Sequence, residues 1–296
     1  MTNNGEGTVS VVNLFSKSVI ATVPVGTAPV GIDITPDGRY LYVANSGDDT
    51  VSVIRTFTNT VIQTINTAAA GVLVPYGVGV KPDGRYVYVA GNGSSNVAVI
   101  DAVSNGIVDV VAVSGAPAFI AFTQDSKYAL VTLYDVGLVS RINLDTNLEV
   151  STLTVGAAPL GVAVAPQGTF AYVVNSGTNN VSVVDIPTNT VAPTTIPVGT
   201  APQHVAFNPR GSRAFVTNYV DGTVSVVDTF RSSSTVAITV GDNPVGIDLT
   251  PDGGSLAVAL SLANTLAIVD AISNVVTANI PVGLTPMIVV SRRFLR

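Results

Sequence analysis

The sequence predicts an all-β, seven-bladed β-propeller of four-stranded antiparallel blades, on the evidence of an internal repeat, a strand pattern and a turn motif. A repeat of about 42 residues runs along the chain. For example, VGTAPVGIDITPDGRYLYVANSGDDTVSVI at 25–54 recurs as VGAAPLGVAVAPQGTFAYVVNSGTNNVSVV at 155–184. Self-similarity at this period, without a helical pattern, is typical of propeller blades.

Each repeat contains four short strands of the types GIDI, YLYVA, TVSVI and VIQTI, which we call strands A to D. Val, Ile, Tyr and Thr at alternating positions favour β-structure. The A–B turn reads Thr-Pro-Asp-Gly at 35–38 and again at 250–253. Proline presets φ in such a turn and glycine takes positive φ, so the motif predicts a tight connection between strands A and B.

An anchoring proline opens strand A in seven repeats. These prolines are Pro29, Pro75, Pro117, Pro159, Pro202, Pro244 and Pro286. Their spacings of 46, 42, 42, 43, 42 and 42 place a short insertion in the first interval, around 68–72. We therefore predict one propeller domain over 1–296, with six full blades at about 25–285 and a composite blade from 1–24 plus 286–296.

The two ends of the chain supply complementary parts of that composite blade. Residues 293–296 followed by 1–3 read like 39–45, the end of an A–B turn and a strand B. We therefore expect the ring to be closed by N- and C-terminal segments that share one blade and meet within or beside its strand B. Sharing a blade in this way removes an open sheet edge.

Composition excludes several classes of function. The chain of 296 residues has a net charge of -6, only 11% charged residues and no cysteine. Disulfides, thiol catalysis and cysteine–zinc sites are therefore excluded, and the acidic balance disfavours nucleic acid. There is no apolar run of the roughly 18 residues that a membrane helix needs and no basic signal peptide, so membrane insertion is not expected.

Three copies of one motif carry a family resemblance. The motif stands at Tyr42–Asn45, Tyr172–Asn175 and Phe215–Asn218. With these residues the chain resembles the YVTN β-propeller repeat family, known from archaeal and bacterial surface-layer and secreted proteins. Members include adhesive surface proteins, a single-stranded-DNA binder and relatives of lactonases and lyases, so the resemblance implies a fold rather than an activity. The His/Glu pattern of the virginiamycin-lyase type is absent, because the chain has one histidine.

Charge is divided between the two ends of the predicted propeller. The B–C loops and D–A connectors form one end, which we call the acidic end, and the A–B and C–D turns form the other, the turn end. Lysine and arginine fall in or near the turn end. The acidic end carries Glu6, Asp48, Asp49, Asp135, Asp221 and Asp242. Its negative potential should favour cations, sugars or neutral ligands over phosphates.

Departures from the repeat mark the candidate site. Two places after the anchoring proline the usual residue is glycine, but Phe119, His204 and Ile288 replace it in three blades. Together with neighbouring residues they predict a shallow pocket of aromatic and polar groups at the channel mouth. The ligand-binding candidates are Tyr76, Phe119, Tyr134, Gln203, His204, Tyr219 and Met287. The same residues also suit loop and channel packing, which leaves both interpretations open.

Two carboxylates are the candidate metal ligands. Asp33 and Asp248 lie in strand A, where other blades have Gly, Ala or Val. A buried carboxylate needs a partner, which is a backbone amide, a water or a divalent cation in the channel. No catalytic residue is assigned, and His204 is the candidate if the chain is an enzyme. No other cofactor is expected.

The leading hypothesis is a non-enzymatic binding or scaffold propeller that uses the acidic end and the channel mouth to bind a protein, glycan or small ligand. The alternative is a small-molecule hydrolase or lyase of the lactonase-like propeller type, with a cation at the acidic end and His204 as base. A third reading is a structural repeat cut from a longer surface-layer protein. We expect a monomer, cytoplasmic if Met1 is the native start and otherwise at the cell surface or secreted.

Overall fold

Strand A begins at the anchoring proline in the computed structural model, which describes residues 1–291. In blades 1 to 6, strand A is Pro29–Ile34, Pro75–Val80, Pro117–Phe122, Pro159–Val164, Pro202–Phe207 and Pro244–Leu249. Strand B is Tyr40–Asn45, Tyr86–Gly91, Tyr128–Leu133, Phe170–Asn175, Arg213–Asn218 and Ser255–Leu260. Strand C is Thr50–Arg55, Asn96–Asp101, Leu138–Asn143, Asn180–Asp185, Thr223–Asp228 and Thr265–Asp270.

Strand D completes each blade on its outer side. It is Thr60–Asn66, Ile107–Ala112, Leu148–Thr154, Ser233–Thr239 and Val275–Pro281 in blades 1, 2, 3, 5 and 6. In blade 4 it is split into Thr190–Val191 and Ile196–Pro197. Strands A to D pair consecutively and antiparallel. The described residues thus form seven sheets, and the predicted all-β, seven-bladed propeller is confirmed.

Blade 7 contains both ends of the described chain. Its strands are Thr2–Asn3 (B), Thr8–Asn13 (C) and Ser18–Pro24 (D). Residues 284–288 run beside strand B: the Thr2 amide donates to the Ile288 carbonyl and the Met287 amide to the Thr2 carbonyl, both at 3.0 Å. These bonds join the last repeat to the first strand and close the ring. The predicted continuation of strand B through 293–296 lies outside the described residues.

The hydrophobic core lies between neighbouring blades. One buried cluster joins Tyr42 and Val53 of blade 1 to Val78 and Ile100 of blade 2. Strands B and C each lie between two strands of their own sheet, and neighbouring blades cover their faces. They are therefore mainly apolar and almost fully buried. Each blade is therefore stabilised by its two neighbours.

The turns have the predicted chemistry. Gly38 of the A–B turn has a φ of 73°, and Thr35 Oγ1 donates to Asp37 at 2.6 Å. The insertion around 68–72 contains the one short helix of the described residues, a 3₁₀ turn at Ala68–Ala70. The A–B turn and the 3₁₀ turn both lie outside the repeated strands, so the four strands of the blade are unchanged.

A carboxamide ties strand B to strand C in four blades. Asn45 Nδ2 donates to Thr50 Oγ1 at 3.0 Å and to Ser52 Oγ at 2.9 Å. Asn3, Asn175 and Asn218 make the corresponding pairs of bonds. In blade 3 the asparagine is replaced by Leu133, and the buried Oγ of Ser140 has no partner among the described residues.

A tyrosine on strand B connects each of two blades to the next. Tyr42 Oη donates to Asn105 Oδ1 at 2.6 Å, and Tyr88 Oη to Asn147 Oδ1 at 2.7 Å. Both asparagines end a C–D turn with positive φ. Tyr172 points in the same way toward blade 5, where Ser232 ends the turn at a φ of 49°. The Tyr172 hydroxyl interacts there with the Ser232 side chain, without a hydrogen bond of the geometry that the two asparagines provide.

Candidate functional site

Glycine at the third position of strand A reflects a close approach between blades. A Cβ on Gly31 would lie 2.2 Å from the Tyr76 carbonyl oxygen, and one on Gly77 would lie 2.2 Å from that of Ala118. A Cβ on Gly246 would lie 2.4 Å from the Met287 oxygen. No side chain tolerates such contacts with a neighbouring backbone. The inner strands of these blades can therefore pack this closely only because the residue is glycine.

The three blades without this glycine share a second departure, which the sequence analysis missed. Each has a threonine at the fifth position of strand B, or its equivalent Thr2 in blade 7, where other blades have alanine or valine. Thr217 Oγ1 accepts from the His204 amide at 3.1 Å and donates to the Val245 carbonyl of the next blade at 2.7 Å. Thr132 does the same for Phe119, and Thr2 for Ile288. Comparing the repeats column by column would have revealed this pairing.

The side chains that replace glycine meet in the channel. The Phe119 ring lies edge-on to His204, with centroids 5.1 Å apart, and edge-on to Tyr76 at 5.3 Å. Phe119 also packs against the buried cluster that contains Ile288. Edge-to-face contacts at these distances are favourable for aromatic rings. We call Phe119, His204 and Ile288 the channel plug.

The other sequence candidates lie around the plug with different roles. Tyr219 and Met287 pack against the Ile288 cluster. Gln203 Nε2 donates to the Ala201 carbonyl at 3.2 Å and to Ser176 Oγ at 3.4 Å. Tyr134 is 45% exposed. Burial, together with the nearby Tyr134, raises the pKa of Tyr76. Of the seven ligand-binding candidates, Phe119 and His204 are the ones that line the channel cavity described below.

His204 is uncharged in this setting. Burial lowers the pKa of its imidazole from 6.5 to about 4, because desolvation disfavours the charged form. Its Nδ1 is buried and has no hydrogen-bond partner among the described residues. Its one described ring contact is with Phe119. A general base works best with a pKa near the working pH and with a group that orients it, and His204 has neither within residues 1–291.

A cavity of about 380 Å³ lies in the channel beside the plug. The six strands A and residues 288–290 of blade 7 contribute to its wall, which runs from Phe119 and His204 to Gln124 and Pro166 in the A–B turns. The cavity therefore occupies the half of the channel nearer the turn end. The wall presents polar and apolar surface in about equal parts, and its side-chain polar groups are His204, Gln124, Asp33 and Asp248. Small-ligand sites have this volume and this mixture of groups.

The two channel carboxylates connect neighbouring blades. Asp33 accepts from its neighbour Ile34 and from the Val80 amide of blade 2, both at 2.8 Å. Asp248 accepts from Leu249 at 2.9 Å and from the Ser291 amide of blade 7 at 2.6 Å. Each carboxylate therefore holds the inner strand of the next blade, which explains its place in strand A.

Most acids of the acidic end support the loops that carry them. Asp48 accepts hydrogen bonds from the Thr27 hydroxyl and the Thr27 amide. These two bonds lower the pKa of the Asp48 carboxyl. Asp49 accepts from the Val74 amide at 2.6 Å, Asp135 from Ala116 at 2.7 Å, and Asp221 from Thr200 at 2.7 Å. In residues 1–291 this end has no lysine or arginine, so its potential is negative.

Residues 1–291 contain no group of three or more His, Asp or Glu side chains placed to hold a metal ion. Over the same residues, no helix has the length and apolar character needed to cross a membrane.

The fold and the channel define a seven-bladed propeller with a plugged channel and a cavity beside the plug. The chain belongs to the lactonase seven-bladed β-propeller family, whose model matches residues 4–106 and 103–268. No curated protein sequence matches it.

Solved structures share the architecture. The hydrazine synthase of Kuenenia stuttgartiensis is 21% identical with a TM-score of 0.83, over 92% of this chain and 91% of that one. A protein of unknown function from Desulfotomaculum acetoxidans is 16% identical with a TM-score of 0.83, over 95% and 96% of the two chains. At these identities the similarity shows the fold alone.

Proposed function

We propose that this chain is a non-enzymatic binding propeller that holds a small ligand in its central channel. The cavity beside the plug carries this proposal, because it combines apolar side chains with four polar ones around an enclosed part of the channel. The imidazole of His204 lies on that wall and is neutral, because burial holds its pKa at about 4. Such a group supplies a hydrogen bond to an uncharged ligand without the cost of burying a charge.

The plug geometry favours binding over catalysis. His204 has a pKa far below neutral pH and packs against Phe119, and Asp33 and Asp248 accept backbone amides of their neighbours. The resemblance to the YVTN repeat family, whose members include adhesive surface proteins, also supports a binding role. The acidic end lies on the other side of the plug from this cavity, and its loops carry Tyr134 and Tyr219.

The test uses a variant that fills the cavity. Ala163 lies on the cavity wall, and Ala163→Leu should abolish the thermal shifts produced by library compounds that stabilise the wild type. The matched control is Ala237→Leu, on an exposed part of strand D, which should keep them. Stabilising compounds that bind both variants equally would contradict a channel site, and so would a broad library without any stabilising compound.

Lactone hydrolysis is the second candidate, favoured by the family match over 4–268. In that reaction water adds to the lactone carbonyl and the ring C–O bond breaks, which releases a hydroxy acid. His204 would take the proton from water, and a divalent cation held by carboxylates such as Asp33 and Asp248 belongs to this alternative. Acid release from γ- and δ-lactones, lost in His204→Gln, together with a stoichiometric metal in the purified protein, would favour the enzyme over the binding protein.

A further inference from the structure

The C–D turns present exposed apolar side chains at one repeated position. The second residue of the turn is apolar in six of the seven blades. These residues, the apolar crown, are Phe15, Phe57, Val103, Pro187, Phe230 and Ile272. Phe15 is 99% exposed, Phe57 95% and Phe230 85%. Because the position repeats around a closed ring, the side chains lie at one height on the rim of the turn end.

The turn itself does not require an apolar residue there. In blade 5 the Phe230 amide donates to Asp228 Oδ1 at 3.0 Å, which forms the turn through backbone and aspartate alone. In blade 3 the same position is Asp145, whose amide donates to Asn143 Oδ1 at 2.9 Å in the same way. An almost fully exposed phenylalanine contributes little to folding, since it buries almost no surface. Exposed apolar side chains that do not serve the turn are typical of a surface that binds another molecule.

Charge at the turn end is balanced. The ion pairs of the described residues all lie there: Arg39 with Asp37 at 3.6 Å, Lys81 with Asp83 at 3.1 Å and Arg231 with Asp228 at 2.9 Å. The acidic end, in contrast, has acids and no described base. Two copies of the chain would therefore repel each other through their acidic ends but not through their turn ends.

A hollow with both apolar and polar lining residues, among them Asp37 and Asp83, lies beside the crown. About 560 Å³ of space lies between blades 1 and 2, lined by Pro36, Tyr40, Ile62 and Ala102 and bordered by the crown residue Val103. A protruding side chain and a recess on the same surface are what an isologous two-fold interface uses, because each copy fills the recess of the other.

We infer that the turn end is the interface between two copies of this chain, packed face to face. The three phenylalanines alone would bury on the order of 500 Å² per copy. With Val103 and Ile272, which are 89% and 79% exposed, the area approaches the roughly 800 Å² per partner of a stable complex. The channel cavity extends to the same end, so the dimer would enclose both cavities between the two copies.

Sedimentation velocity tests this inference. Protein at about 2 to 200 µM covers dissociation constants in the micromolar range. The wild type should dimerise. The triple variant Phe15→Ser, Phe57→Ser, Phe230→Ser should raise the dissociation constant at least about a hundredfold, since a truncated aromatic anchor costs on the order of tenfold. Asp145→Phe, which completes the crown, should lower it.

The control removes apolar side chains from the opposite end. Val136→Ser, Val220→Ser and Leu262→Ser change residues that are 45%, 64% and 68% exposed in the B–C loops, and this triple variant should dimerise like the wild type. A monomeric wild type at the highest concentration would overturn the inference, and so would a dimer insensitive to the crown variant. Flotation of a monomeric wild type with phosphatidylcholine vesicles would assign the crown to a bilayer instead. Thermal melts confirm that each variant is folded.

Discussion

Thr217→Val removes one hydroxyl and keeps the shape of the side chain, so it isolates the link between His204 and the next blade. Thr217 Oγ1 accepts from the His204 amide at 3.1 Å and donates to the Val245 carbonyl at 2.7 Å. Thr217 is fully buried, and the bond to Val245 is buried as well. Valine can replace neither interaction.

The expected cost follows from the two bonds. A buried backbone group that loses its partner costs about 1–3 kcal/mol. With both groups affected and partial relaxation, we expect Thr217→Val to lower the free energy of unfolding by about 2–3 kcal/mol. For a chain of this size that corresponds to a fall in melting temperature of roughly 3–5 °C. Thr217→Ser keeps the hydroxyl and should cost about 1 kcal/mol or less.

Urea unfolding followed by far-UV circular dichroism measures this difference. Thr22→Val is the matched control, because Thr22 lies on an exposed part of strand D and has no described side-chain hydrogen bond. A cost for Thr217→Val within about 0.5 kcal/mol of the control, the usual range for surface changes, would refute the role assigned to the hydroxyl. A loss in Thr217→Ser as large as in Thr217→Val would refute it too.

Three further predictions follow from unpaired or titrating groups. Ser232→Asn should stabilise the protein by about 1 kcal/mol in thermal melts, because asparagine tolerates the positive φ of 49° and supplies the Oδ1 acceptor that Tyr42 and Tyr88 have in the other blades; an unchanged melt would contradict this. Ser52→Ala should lower the free energy of unfolding in urea by about 1–2 kcal/mol, because Ser52 Oγ accepts from Asn45. Ser140→Ala should be neutral or stabilising, because the Ser140 hydroxyl has no described partner. Equal losses in the two variants would show that the asparagine–serine bond does not stabilise the blade. Since burial lowers the His204 pKa from 6.5 to about 4, the unfolded chain binds that proton first, so the wild type should lose up to about 3 kcal/mol relative to His204→Gln as the pH falls from 6.5 to 4; parallel stability–pH curves would argue against a buried neutral imidazole.

The candidate site was recognisable in the sequence only as a set of departures from the repeat. Phe119, His204 and Ile288 stood out because glycine occupies their position in the other blades. Their threonine supports were visible in the same alignment but were not recognised, because threonine is an ordinary strand residue. The carboxylates of Asp33 and Asp248 could not be assigned, because their acceptor role depends on amides that a neighbouring blade supplies.

The sequence by itself determined the architecture. Four strands repeated every 42 residues or so can bury their faces only against the next repeat, and a seventh repeat divided between the ends of the chain closes the ring. Only the tertiary structure decided what occupies the channel. Phe119, His204 and Ile288 are 85 and 84 residues apart in the chain, and they meet because ring closure points every strand A at one axis. A local pattern specifies a blade, whereas contacts across the channel depend on all seven blades at once.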